Sequence, residues 1–126
     1  MTQTGLILFA HGARDPRWAA PFEAVAARVR AARPGITVRL AYLEFMAPSL
    51  PAAGAELAAA GCTRIEVVPL FLGAGGHVRK DLPLLLDALR SAHPGLQVAL
   101  HLSVGEVDGV VAAMADAALA TLPPPP

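Results

Sequence analysis

The chain has 126 residues, of which 55% are hydrophobic and 16% charged, and ten basic and ten acidic residues leave no formal net charge at pH 7. That length suits one domain with a hydrophobic core, the composition is far from that of a disordered chain, and the balanced charge gives no electrostatic footprint of nucleic acid or an anionic membrane. Cys62, the only cysteine, excludes an internal disulfide and a cluster ligated by cysteines of one chain.

No apolar run approaches the roughly 20 residues of a membrane span. The first residues lack the layout of a signal peptide, so a cytoplasmic location is expected. Four short apolar runs, Gly5–Ala10, Ile36–Leu43, Arg64–Phe71 and Leu96–Leu102, alternate with four segments of helical character. That order predicts an α/β fold with a mainly parallel four-stranded sheet and helices on both faces.

In the first run, Leu6, Ile7, Leu8 and Phe9 form a continuous apolar stretch, the pattern of a strand covered on both faces. Next, Trp18, Phe22, Val25, Ala26 and Val29 recur at helical period, and Asp15-Pro16 is a start signal, a cap followed by a first-turn proline. The second run is less uniform than the first and is placed nearer a sheet edge, as is the fourth. Residues 48–60 read as a second helix closed by Gly61.

The third run contains Pro69, which removes a ladder donor, so pairing is expected to end there. A third helix is read over about 82–92, with a possible earlier start near His77. The fourth helix, Val107–Leu122, is rich enough in alanine and valine that a partner is expected to cover its outer face. Residues 1–122 are expected to form the single domain, and Pro123–Pro126 a disordered tail. Trp18 and the phenylalanines read as core, and Asp15 as a helix cap. One internal echo, Arg30-Ala-Ala-Arg-Pro-Gly against Arg90-Ser-Ala-His-Pro-Gly, pairs two helix ends and turns sixty residues apart, which shared turn chemistry explains.

Ligands in open parallel α/β sheets bind beyond the carboxyl ends of the strands. The first strand is followed by His11, Gly12, Arg14 and Asp15, and the second by Glu44. Gly73, Gly75, Gly76, His77, Arg79 and Lys80 follow the third, and Ser103 and Gly105 the fourth. Two histidines and one carboxylate thus fall on one rim. They could supply nitrogen and oxygen ligands to a borderline divalent ion, spread too widely for a structural zinc site. Arg14, Arg79 and Lys80 would suit a polycarboxylate guest. His93 reads as a helix-end residue and His101 as an edge or core histidine inside the fourth strand.

The segments His-Gly-Ala-Arg-Asp-Pro at 11–16, Leu-Glu-Phe at 43–45 and Pro-Leu-Phe-Leu-Gly-Ala-Gly-Gly-His-Val-Arg-Lys-Asp-Leu-Pro at 69–83 resemble those of the class II tetrapyrrole chelatases. The likeness, over residues 5–105, is to the short sirohydrochlorin cobalto- or ferrochelatases of the CbiX type. It implies the three-layer chelatase fold, a homodimer, and insertion of Co2+ or Fe2+ into sirohydrochlorin or a related polycarboxylate tetrapyrrole. By this resemblance His11, Glu44 and His77 are catalytic, His11 and His77 bind the metal, and Arg14, Gly75, Gly76, Arg79 and Lys80 hold the macrocycle. The metal, cobalt, iron or nickel, is then a substrate and no cofactor is tightly bound; partners are the tetrapyrrole and a second copy, with no nucleic acid and no membrane. Ala13 stands where the family usually has serine or threonine.

Two other classes compete. Histidine phosphatases also place His-Gly after the first strand, but they require an arginine immediately before it, and position 10 is Ala. A non-catalytic metal carrier would hold its ion tightly without a tetrapyrrole. The Gly73–Gly76 loop lacks the Gly-x-Gly-x-x-Gly spacing of a dinucleotide site.

Overall fold

Leu6 to Phe9 lie in β1 (Thr4–Ala10), an inner strand of a four-stranded sheet, and its side chains divide between two cores. The computed structural model describes residues 3–73 and 75–126, with the side chain of His77 outside the description. A 3-10 turn (Pro16–Ala19) leads into α1 (Ala20–Ala32), followed by β2 (Thr37–Tyr42), α2 (Leu50–Ala59), β3 (Arg64–Pro69), α3 (Gly76–Ala92) and β4 (Gln97–Leu100). A second 3-10 turn (Val104–Glu106) precedes α4 (Asp108–Leu119). The strand order is β2-β1-β3-β4, every pairing is parallel, and the less uniform strands are the edges.

On one face Ile7 and Phe9 pack with Ile65 and Val67 against Leu50 and Leu57 of α2 and Leu82 and Leu86 of α3. On the other, Leu8 meets Val38 and Ala26 of α1. Both faces of β1 are therefore covered, which is why it reads as a continuous apolar run.

Local signals explain the element ends. The Asp15 side chain accepts the Arg17 N–H at 2.9 Å and Pro16 opens the turn, so the start signal marks a 3-10 turn before the helix proper. Ser49 caps α2 through the Ala52 N–H, and Gly61, at φ 97, follows its end. Helix α3 begins at Gly76, at the earlier of the two starts the sequence allowed, and carries Pro83 inside it, where the ring leaves the Arg79 carbonyl without its helical donor.

Pro69 closes β3 as expected. Pairing with β4 has already ended, Val67 opposite Leu100, and the next bond runs from the His101 N–H to the Val67 carbonyl at 2.9 Å. Leu70 continues instead toward β1, donating to the Phe9 carbonyl at 2.7 Å. One sequence expectation is corrected: Phe45 is not core but 58% exposed, because its loop turns it outward.

The sixty-residue echo is a repeated piece of geometry. Arg33 and His93 end their helices with nearly equal dihedral angles (φ −135, ψ 74 and φ −135, ψ 75), and each is followed by Pro-Gly. Arg30 then donates to the Val38 carbonyl and Arg90 to the Val98 carbonyl, both at 2.9 Å, tying each helix to the strand it feeds. The two halves of the chain are thus alike in layout, with α1 on one face of the sheet and α3 on the other.

That likeness stops at the last helix. Helix α2 lies over β1 and β2 and packs on α3, so the corresponding place for α4 is the α1 face over β3 and β4. Helix α4 is not there: none of its residues is buried, and its main contact is the Val104–Glu106 turn. The open sheet face carries a polar row instead, in which Arg64 bonds both Glu66 and Gln97, and His101 Nε2 meets Glu66 Oε2 at 2.6 Å. His101 is therefore an edge histidine with a partner.

Two tests follow from this packing. Leu57 is fully buried beneath β1, so Leu57→Ala is expected to lower the unfolding free energy by about 3 kcal/mol in urea titration; a loss under about 1 kcal/mol would mean that the α2 interface is not close-packed. The hydrogen bond from His101, and then that from Arg64, hold the Glu66 carboxyl below its usual value of 4.5. A lowered folded value contributes stability above about pH 4.5 that is lost as pH falls through it. Glu66→Gln should therefore be less stable than the parent at neutral pH, with the gap closing in acid; a gap independent of pH would contradict the assignment.

Candidate active site

The candidate residues come together because the β1–β2 seam runs past its own strands. The last ladder pair is Ala10 with Tyr42, yet the Leu43 N–H still reaches the Ala10 carbonyl at 3.0 Å and the Glu44 N–H the His11 carbonyl at 3.1 Å. Two residues thirty-three apart in sequence are thereby placed side by side. His11 Nε2 lies 2.9 Å from Glu44 Oε1, with the two side chains 39% and 48% exposed, so the pair is reachable from solvent.

Gly12 makes this approach possible. It has φ 95, and a Cβ there would stand 1.9 Å from the Glu44 carbonyl oxygen, so any side chain would push the two loops apart. Beneath the pair, the Phe71 ring meets Phe9 edge-on at 5.7 Å and His11 at 6.4 Å between centroids. The imidazole thus stands on the aromatic end of the larger core. On the opposite face Tyr42 packs with Trp18, Phe22 and Ala19 below the same loops, and burial, followed by the charge of Glu23, pushes its phenol up. That phenol stays neutral at cellular pH and serves as packing.

His77, the second predicted imidazole, is the second residue of α3, in the segment that follows β3. Its backbone is thus on the rim that carries His11 and Glu44, while the side chain lies outside the described residues. Among the described residues no three His, Cys, Asp or Glu side chains gather into a metal-binding group. The described donor set is the imidazole and carboxylate of His11 and Glu44, a nitrogen and an oxygen suited to a borderline divalent ion.

The predicted macrocycle residues flank the pair on two sides. Arg14 follows His11, and its guanidinium carbon lies 4.9 Å from the Phe45 ring centroid. Arg79, in α3, lines a cleft of about 210 Å³ with Phe71, Gly73, Ser103 and Glu106. That cleft adjoins one of about 540 Å³ bordered by Leu100 and His101. Lys80 is exposed on α3, and Gly75 caps that helix with extended backbone. Among the described residues no atom lies within 4 Å of where a Cβ would sit on Gly73 or Gly76, so none of them requires glycine at either. Gly105 is different, because a Cβ there would strike the Leu72 carbonyl at 1.9 Å.

Residue-by-residue reasoning from sequence missed Phe71, Phe45 and Glu106. Phe71 was legible as the end of an apolar run that outlasts its strand. Phe45 stood in a motif but was read as core, and Glu106 carried no local signal.

Comparison with known proteins identifies the family. The CbiX family model matches residues 5–121. The chain is 32% identical over 83 residues to the sirohydrochlorin cobaltochelatase of Methanosarcina acetivorans, a stretch covering 66% of this chain and 64% of that one. A CbiX protein from Marinobacter aquaeolei superposes with a TM-score of 0.82 at 32% identity, over 94% of this chain and 96% of the other. The sirohydrochlorin chelatase SirB from Bacillus subtilis subspecies spizizenii, at 24% identity, shares the fold with a TM-score of 0.74, and 92% of this chain spans 49% of SirB. With the model match running from β1 through α4, the chain belongs to the CbiX family.

Proposed function

We propose that this chain is a sirohydrochlorin chelatase, a metal-inserting lyase that places Co2+ or Fe2+ into sirohydrochlorin or a related polycarboxylate tetrapyrrole, for cobalamin or siroheme synthesis. The observation that carries the reading is the 2.9 Å contact between His11 Nε2 and Glu44 Oε1 on an open rim. Its context is a family whose relatives include sirohydrochlorin cobaltochelatases. A carrier would be expected to close several ligands around its ion, whereas an open imidazole–carboxylate pair suits an ion in transit.

Insertion requires the loss of two pyrrolic protons and the exchange of the ion's ligands for four ring nitrogens. A neutral imidazole does either task at cellular pH, having an unperturbed pKa of about 6.5. In the proposed mechanism His11 and His77 share metal binding and proton abstraction. Glu44 raises the basicity of the His11 imidazole beside it or accepts the second pyrrolic proton. Arg14, Arg79 and Lys80 pair with peripheral carboxylates, and the bare backbone at Gly75 and Gly76 lets the ring come close. No described helix is long and apolar enough to cross a membrane, and we place the reaction in the cytoplasm.

A homodimer belongs to this proposal, with α4 as its interface. Val111, Met114 and Leu119 of that helix are 46%, 42% and 61% exposed, and a largely apolar helix with no buried residue requires cover that its own domain does not provide. Next to its root lies an apolar groove of about 380 Å³ lined by Phe22, Val25, Leu70, Leu72, Val104 and Val110, fit to receive the same helix from a second copy.

Purified protein mixed with sirohydrochlorin and Co2+, or with Fe2+ without oxygen, should shift the macrocycle's absorbance at a rate well above the uncatalysed one. His11→Ala and His77→Ala should each lower that rate by about a hundredfold or more with the fold retained by circular dichroism. Wild-type rates in both variants, or tight Co2+ binding without turnover, would overturn the proposal. In sedimentation, the parent should run as a dimer and Met114→Asp as a monomer; a monomeric parent would remove the dimer.

A further inference from the structure

Phe45 is the residue of the site that its surroundings do not explain. It has φ 66, the left-handed region that bulky side chains rarely occupy. The Met46 N–H closes on the Glu44 carbonyl at 2.8 Å, so Phe45 is the centre of a γ-turn of the strained, positive-φ kind. Glycine or asparagine would make that turn at less cost. Nor does burial repay it, because the residue is 58% exposed. An exposed aromatic held in a disfavoured conformation beside the His11–Glu44 pair has a use outside the folded chain itself.

We propose that the Phe45 ring is a stacking wall for the substrate, a positioning residue against which the flat face of the tetrapyrrole lies while His11 and Glu44 act on its centre. The inference rests on the chelatase reading above. The Arg14 guanidinium lies over one face of the ring, 4.9 Å from its centroid, so a stacked macrocycle takes the other face with that charge close by. A conjugated ring bearing carboxylates matches both features: the π-face meets the phenyl group, and a peripheral carboxylate meets Arg14. The turn that aims Phe45 outward is the one that holds Glu44, since its closing hydrogen bond uses the Glu44 carbonyl. Ring placement and acid placement are therefore set by one loop.

The test compares Phe45→Gly and Phe45→Trp with the parent in four measurements: KM for sirohydrochlorin, kcat at saturating macrocycle, Co2+ affinity without macrocycle, and Tm. Phe45→Gly is expected to raise KM about tenfold, leave Co2+ affinity unchanged and raise Tm, because glycine relieves the left-handed backbone. Phe45→Trp should restore KM toward the parent value. An unchanged KM in Phe45→Gly, a loss that tryptophan does not recover, or a parallel fall in Tm and Co2+ affinity would each overturn the stacking role while leaving the chelatase reading intact. A parent that binds no sirohydrochlorin would overturn both.

Discussion

Two backbone hydrogen bonds, from Leu43 to Ala10 and from Glu44 to His11, carry the β1–β2 seam beyond its strands. Through them a regular parallel ladder, whose geometry the core enforces, sets the distance between an imidazole and a carboxylate. Gly12 is the condition for the arrangement, since the Glu44 carbonyl occupies the space a side chain would need. Placing the site on extended sheet backbone holds His11 and Glu44 more firmly than two independent loops would, and this firmness leaves the pair free to stay open to solvent.

Beneath the site the chain is nearly doubled. Each half runs strand, helix, Pro-Gly turn and strand, and in each an arginine of the helix bonds a carbonyl of the strand it feeds. The likeness breaks at α4, which stands away from the sheet, and residues on the face it leaves open are correspondingly polar: Arg64, Glu66, Gln97 and His101 form one bonded row there. A polar sheet face beside an apolar, uncovered helix is consistent with a helix that packs on another molecule.

Much of this was legible in the sequence. The unbroken apolar run of β1 announced an inner strand, the mixed character of β2 and β4 announced edges, and the rule that ligands sit beyond strand ends singled out His11 and Glu44, which the structure pairs at 2.9 Å. What was not legible depended on contacts that no local pattern encodes. Phe45 was read as core because aromatic residues are usually buried, and only the positive φ of its turn reveals why it is not. The sequence left the start of α3 open between His77 and residue 82, and the helix runs from Gly76 with Pro83 accommodated at the cost of one backbone bond. Glu66 as the partner of His101 could not be foreseen, since the two meet across neighbouring strands thirty-five residues apart.

The proposed function requires the rim to present both imidazoles to one ion. X-ray absorption at the cobalt edge, on protein in excess over Co2+, reads that directly. A first shell containing two imidazoles, falling to one in His77→Ala, is the predicted result. A shell of water and carboxylate oxygens alone, unchanged by either histidine substitution, would contradict it.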